Sequence, residues 1–371
     1  MVLLFVCGLL FLLYAILVLY YWHSWKALPE YAPAVNHFTA KVSVIIPARN
    51  EEKHIGRLLK ALQKQTYPEE LVEVIVVDDH STDRTAEIVR SFEKVKLISL
   101  NSDVINSYKK KAIETGIAAA QGDWIVTTDA DCVPAENWLS TLFDFAEENK
   151  PVFIAAPVVM NHDSSVLQLF QAMDFMVLQA ITGAVVSRKQ LTMCNGANIA
   201  YEKKVFHEVN GFAGIDQIAS GDDMLLMHKI WKRYPERVLY LKAKEAIIAT
   251  EPQPTWRSFF NQRIRWAGKA GKYEDKRFTP VLLLVYLFNV SFVALFTAGF
   301  LHDQYWMYMA GLWVLKTLVE LPLFTAAARF FDKISTLKWF FFFQPLHIVY
   351  TVLSGLLGQI GSYEWKGRRV K

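Results

Sequence analysis

From Val2 to Trp22 the chain carries no charged side chain. That is about the length a helix needs to cross a hydrocarbon core of roughly 30 Å. A secretory signal peptide competes with this reading, but it brings a basic n-region and a small-residue cleavage site. Nothing basic precedes the run, and "YYWHSWK" follows it. Residues 1–25 are therefore read as a transmembrane anchor. Tyr20, Tyr21, Trp22 and Trp25 form its interfacial aromatic belt, with Lys26 behind them.

The other end behaves alike. Val281–Leu301 is uncharged and long enough to span, and Tyr305–Ala328 is apolar apart from Lys316, Glu320 and Pro322. Lys316 and Glu320 are four apart, so they share a helix face and can pair. Trp339–Tyr363 is a third apolar run, broken by Pro345 and His347. Residues 279–363 are thus predicted to hold two or three membrane segments. The mean hydropathy of +0.19 is high for a soluble protein because of these two ends. Lys26, Lys41, Arg257, Arg263, Arg265, Lys269 and Lys272 flank the apolar segments on the side of the middle region, whereas the "HDQ" loop after Leu301 holds no lysine or arginine. The positive-inside rule then predicts a multi-pass protein of the cell (inner) membrane with a cytoplasmic middle domain. Cys7, Cys132 and Cys194 show no metal-ligand spacing and give no disulfide framework, as expected in a reducing compartment. Four full crossings would leave the tail "WKGRRVK" outside, against the same rule. A re-entrant or interfacial segment would remove that conflict.

Between about residues 40 and 255, short apolar runs alternate with amphipathic ones. "VSVII" (42–46) precedes "EEKHIGRLLKALQKQ", where Ile55, Leu58, Leu59 and Leu62 repeat at helical spacing. "VEVIVV" precedes "TDRTAEIVRSF", and "KVKLISL", "KKKAIETGIAAA" and "DWIVTT" follow. Such alternation predicts βαβ units and a mostly parallel, Rossmann-like sheet. Ligands of such sheets bind beyond the carboxyl ends of the strands. That rule gathers three polar clusters at one edge: Pro47 to Glu51, Asp78 to Ser81, and Asp129 to Asp131.

Asp129 and Asp131 are two apart, so in an extended segment they point the same way and repel. A hard divalent ion relieves this, since Mg²⁺ or Mn²⁺ takes oxygen ligands and shares them with substrate phosphates. The plainer alternative is a surface turn with two solvated acids. In "DDHSTD" the plain reading is a strand end and a helix start capped by Ser81 or Thr82. In "ASGDDMLLMHKI", Ser220 or Gly221 could open a helix with Asp222 and Asp223 at its positive end. "WRSFFNQRIRWAGKAGKY" reads as a basic amphipathic helix at a membrane surface, over residues 256–278. The run 166–186 has only Asp174 as a charge, and serves as a buried helix, an interfacial helix or the floor of an acceptor cavity. An interfacial role is the favoured expectation. His80, His162 and His207 lack ligand spacing and are read as structural or exposed.

Taken together, "VSVIIPARNEE", "VIVVDDHSTDRT", "TTDADC" and "QRIRW" resemble family 2 glycosyltransferases of the GT-A fold, over residues 41 to about 270. The resemblance implies an inverting hexosyltransferase using a nucleotide-sugar donor, UDP by the family's habit, and a divalent metal cofactor. It implies that Pro47, Arg49 and Glu51 line the base and ribose, and that Asp78 and Asp79 touch the nucleoside. Lys109 matches the lysine of "GKxxALNxG", which here reads "YKKKAIETG" with Tyr108 and Glu114 in place of Gly and Asn. Asp131 matches the metal ligand and Asp129 its partner nearer the sugar. Asp223 matches the general base and Asp222 its acidic neighbour. Arg263 and Arg265 would offset phosphate charge, and Trp266 would stack on the acceptor. Membrane segments beside such a site suggest a lipid or lipid-linked acceptor, and no nucleic acid. A processive polysaccharide synthase is the alternative, disfavoured by the small number of membrane segments. A non-catalytic scaffold is another, opposed by the retained Asp131, Asp223 and QRIRW. A nucleotidyltransferase also pairs acids on such a sheet but has no use for the QRIRW helix.

Overall fold

A computed structural model describes residues 1–34, 38–100, 107–163, 165–218, 221–268 and 275–360, with the backbone of two short strands beyond them. The first helix, α1, spans Val2–Ala27. Its buried residues Cys7, Tyr14, Val18, Tyr21 and Trp25 fall three, four or seven apart and make one stripe, while Phe5, Leu9, Leu12 and Ile16 remain exposed. The helix stops at Leu28, which is extended because Pro29 follows it.

The middle then alternates as its patterning predicts: β1 (Val42–Ala48), α2 (Ile55–Leu62), β2 (Val72–Asp78), α3 (Thr85–Arg90), β3 (Val95–Ser99), α4 (Tyr108–Ala119) and β4 (Trp124–Thr127). β3, β2, β1 and β4 lie side by side and parallel. Nearly every residue of β1 is buried, as a central strand covered on both faces requires. After these come β5 (Val133–Pro134), α5 (Trp138–Asn149), β6 (Phe153–Ala155), β7 (Val158–Met160), α6 (Val166–Ser187), β8 (Ile199–Glu202), α7 (Lys203–Glu208), α8 (Asp222–Arg233), β9 (Val238–Tyr240), β10 (Ile248–Thr250) and α9 (Trp256–Ala267). β8 enters antiparallel between β4 and β6, and β9 runs parallel to β6, giving the sheet order β3-β2-β1-β4-β8-β6-β9. β5, β10 and β7 make a small second sheet. The chain is thus GT-A-like: α/β with a mostly parallel sheet.

Three long helices close the chain: α10 (Phe278–Gly299), α11 (Gln304–Phe330) and α12 (Phe340–Ile360), ahead of the short strands β11 (Tyr363–Trp365) and β12 (Arg368–Val370). Among the described residues, five helices are long and apolar enough to cross a membrane: α1, α6, α10, α11 and α12 with the turn before it. The Lys316–Glu320 pair expected on one face of α11 is present, with Nζ to Oε1 at 2.6 Å.

One apolar core holds both parts together. Trp25 of α1, Ile45 of β1, Phe153 of β6, Met176 of α6, Phe288 of α10 and Phe324 of α11 belong to a single buried cluster. A second cluster fills the other face of the sheet beneath α2 and α5. α6 accordingly differs from the interfacial helix favoured by its sequence. It is mostly buried, because α1 and α11 cover it on one side and β7 and β9 on the other.

Candidate active site

Asp129 and Asp131 lie just past the end of β4, where the chain turns instead of continuing extended. The Cys132 N–H donates to the Asp129 carbonyl at 3.1 Å and closes that turn. Both carboxylates nevertheless line one cavity of about 1100 Å³, together with Asp222 and Asp223 from the first turn of α8. Gly221 caps α8 with φ +78°, a conformation suited to glycine, and Ser220 lies outside the described residues. Asp223 is fixed by two backbone donors: Gly196 N–H to Oδ2 at 2.9 Å and Met224 N–H to Oδ1 at 2.7 Å. A Cβ on residue 196 would lie 3.3 Å from both Asp222 Oδ2 and Asp223 Cβ, so glycine there lets the loop and the acid pair come close.

Lys109, in the first turn of α4, ties the two acid pairs together. Its Nζ is 2.7 Å from Asp129 Oδ1 and 3.4 Å from Asp222 Oδ2. Burial opposes its charge, but Asp129, Asp222 and Asp223 outweigh burial and hold the ammonium protonated well above the usual lysine range. Lys109 is therefore a fixed cation and not a base. Cys132 is the converse: burial, with Asp131 and Asp129 nearby, pushes its thiol up and keeps it neutral.

The two loops after β1 and β2 are laced together. Arg49 Nη1 donates to the carbonyls of Asp79 at 2.7 Å and His80 at 3.2 Å. Asn50 N–H donates to Ser81 Oγ, and Glu51 N–H to Thr85 Oγ1. Asp83, and not Ser81 or Thr82, serves the start of α3, its Oδ1 accepting from the Thr85 N–H at 3.0 Å. Pro47, Arg49, Glu51 and Asp79 line the cavity. Asp78 is not among the lining residues: it is buried at the last position of β2, in register with Ala48 and Ser99, and its Oδ1 has no hydrogen-bond partner among the described residues.

α9 starts at Thr255 with a reciprocal cap to Ser258 and ends at Ala267, shorter than the 256–278 expected of it. Lys269 and Lys272 lie outside the described residues. Arg263, Arg265 and Trp266 line the cavity. Arg263 is not a surface cation. It is 3 % exposed and pairs with Asp174 of α6 at 2.9 Å, and its guanidinium lies 4.5 Å from the Trp266 ring centre. Tyr350 of α12 donates to the same Asp174 at 2.7 Å, and His347 Nε2 approaches it at 3.8 Å. Sequence reading left Asp174, His347 and Tyr350 unassigned. The available signal was the lone acid in an apolar helix, which requires a buried cationic partner.

The cavity continues past this cluster to α1, α10, α11 and α12, reaching Tyr14, Tyr286, Glu320 and Gln344. Its described lining carries nine carboxylates but four lysine and arginine side chains. No group of three or more His, Cys, Asp or Glu side chains among the described residues could enclose a metal alone. That composition fits an ion held by one or two carboxylates and completed by substrate phosphates, the habit of Mg²⁺ and Mn²⁺.

The comparisons agree with this architecture. A Bacillus subtilis protein called a probable glycosyltransferase, YdaM, is 28% identical over 235 residues, 61% of this chain. The matched stretch covers 54% of that relative, so the chain spans about half its length. A beta-monoglucosyldiacylglycerol synthase from a Nostoc species is 33% identical over 102 residues, 26% of this chain and 22% of that one. The solved structure of the mannosyltransferase PcManGT from Pyrobaculum calidifontis, in complex with GDP-Man and Mn²⁺, superposes with a TM-score of 0.59 at 19% identity. That superposition covers 95% of this chain and 99% of that one, and it establishes a shared fold. Residues 43–209 match the model described as Glycosyl transferase family 2, the segment that holds the parallel strands and the acids after β4.

Proposed function

We propose that this protein is a membrane-bound glycosyltransferase that moves a sugar from a nucleotide-sugar, expected to be UDP-linked, to a hydroxyl of a lipid or lipid-linked acceptor with inversion. One observation carries the reading. The acids of β4 and α8, bridged by Lys109, share one continuous cavity with the candidate membrane helices. A Nostoc relative named for a diacylglycerol product supports a lipid acceptor, and a structural neighbour holding GDP-Man and Mn²⁺ supports the donor class and the metal.

In this reading Pro47, Arg49, Glu51 and Asp79 cradle the nucleoside, with Asp78 supporting from behind the loop. The acceptor hydroxyl is a poor nucleophile until a carboxylate takes its proton as the bond forms. In this reading Asp223 takes that role. Its two backbone hydrogen bonds fix its orientation, and Asp222 raises the local negative charge beside it. Lys109 holds Asp129 toward the sugar side and Asp222 toward the acceptor side. Arg265 offsets charge on the departing diphosphate, and Arg263 holds Trp266 and α6 in register. Trp266 offers the acceptor a flat apolar face. A Mn²⁺ or Mg²⁺ ion, with Asp131 as its protein ligand, would add the positive charge that a diphosphate needs in so acidic a cavity.

The test is Asp223→Asn. Transfer from a panel of nucleotide-sugars to membrane lipid extract, read by mass spectrometry, should fall by about 10²–10⁴-fold. Calorimetric binding of UDP in Mn²⁺ should stay near the wild-type value. Undiminished transfer by the variant would remove the base assignment. UDP binding indifferent to Mn²⁺ would remove the metal.

A further inference from the structure

We infer that the acceptor is an uncharged lipid alcohol whose tail enters the cavity from the bilayer between α10 and α12. This rests on the lipid-directed transfer proposed above and narrows its substrate class.

The route rests on three apolar side chains. Leu282 and Leu283 of α10 and Leu356 of α12 line the cavity and are 40%, 53% and 50% exposed. They lie on two candidate membrane spans, so the apolar part of the lining sits where a bilayer would meet it. The helices meet just beside these side chains at a glycine. A Cβ on residue 355 would come within 2.6 Å of the Tyr286 ring.

The way inward from these leucines is polar but charge-matched. Arg263 is paired with Asp174 at 2.9 Å, and Lys316 with Glu320 at 2.6 Å, with Gln344 bonded to both Lys316 and Glu320. Arg263 Nη2 and Asp174 Oδ2 make no hydrogen bond but neutralise each other across that ion pair, and Arg263 Nε is left over beside them. The other unsatisfied atoms along this stretch are neutral. Gln262 Oε1, His347 Nδ1 and Ser354 Oγ are buried with no hydrogen-bond partner among the described residues, and all three side chains line the cavity. Hydroxyl, carbonyl or amide groups of an uncharged headgroup satisfy such atoms. A lipid phosphate suits the site poorly on two counts. It would bring about −1.5 to −2 charges at neutral pH to a stretch where Arg263 and Lys316 are already paired with Asp174 and Glu320. Its attacking oxygen is also already deprotonated, so a fixed carboxylate such as Asp223 would repel it without being needed.

The experiment uses the full chain in phosphatidylcholine nanodiscs and two photoreactive probes with identical diazirine-bearing tails. One is a diacylglycerol and the other the corresponding phosphatidic acid. After irradiation, adducts are mapped by peptide mass spectrometry. The diacylglycerol should label peptides of α10 and α12 containing Leu283 and Leu356, roughly tenfold above the phosphatidic acid, a ratio reflecting relative affinity. Leu356→Trp should reduce that labelling while leaving calorimetric UDP binding unchanged. In parallel, transfer is compared with diacylglycerol and with undecaprenyl phosphate as acceptors. Equal or stronger labelling by phosphatidic acid, or preferred transfer to the polyprenyl phosphate, overturns the inference and leaves lipid-directed transfer standing. Adducts absent from α10 and α12 overturn the entry route. Transfer confined to soluble or polymeric acceptors overturns the underlying lipid reading itself.

Discussion

Lys109 shows how one residue is decided by its neighbours. Its position in "YKKKAIETG" suggests a cation but not its purpose, since Lys110 and Lys111 follow immediately. Lys110 is buried and donates to the Ile218 carbonyl, and Lys111 pairs locally with Glu114 at 2.9 Å. Lys109 alone reaches both Asp129 and Asp222. Its folded pKa lies above the free value of about 10.4, so its stabilisation is complete below that value and is lost only as pH rises through the higher folded value. Thermal midpoints should therefore show no Lys109-dependent step between about pH 6 and 9. Lys109→Met should lower the midpoint by several degrees at pH 8, and by less as pH rises above the free lysine value toward the folded one. Differential scanning fluorimetry in detergent measures both. A penalty independent of pH would mean that the ammonium's role there is packing alone.

At the scale of elements, α6 and α9 are informative because periodicity underdetermines them. α6 is apolar enough to be membrane-spanning, interfacial or buried, and α9 reads as a surface helix. The ion pair between Asp174 and Arg263 makes each the reason for the other's burial. Removing one partner of a buried pair costs about 3–5 kcal/mol because the other charge is left alone, whereas replacing both by apolar residues is often neutral. Asp174→Leu and Arg263→Met should each lower the thermal midpoint sharply, and the double variant should recover most of it. Transfer activity should stay low in all three, because the guanidinium also supports Trp266 at 4.5 Å. Recovery of activity alongside stability in the double variant would show that the pair serves the fold only. The turn at Asp129 is a similar case. Strand patterning placed the acids at the sheet edge, but a backbone bond from Cys132, invisible to patterning, sets their directions.

For the molecule as a whole, α1 is more than a tether. Trp25 is 1% exposed, stacks edge-on against Phe330 at 5.3 Å and Tyr240 at 6.3 Å, and lies under Lys242 Nζ at 4.4 Å. Lys242 also donates to the carbonyls of Trp25 and Leu28, closing the end of the helix onto the α/β domain. Trp25→Ala should cost about 3–5 kcal/mol, the range for deleting a large buried aromatic. The loss should appear as one cooperative shift of both intrinsic fluorescence and UDP protection. Separate transitions would mean that the anchor and the domain are independent units. The alternation of strands and helices, the apolar ends and the acid clusters at strand ends were all legible in the chain, because they follow from local periodicity and from the strand-end rule for parallel sheets. The continuity of the acid-lined cavity with the candidate membrane spans, the Asp174–Arg263–Tyr350 cluster and the burial of Asp78 outside the cavity lining were decided by tertiary packing. Each depends on groups far apart in sequence meeting at low dielectric, where burial and pairing outweigh any preference a single segment carries.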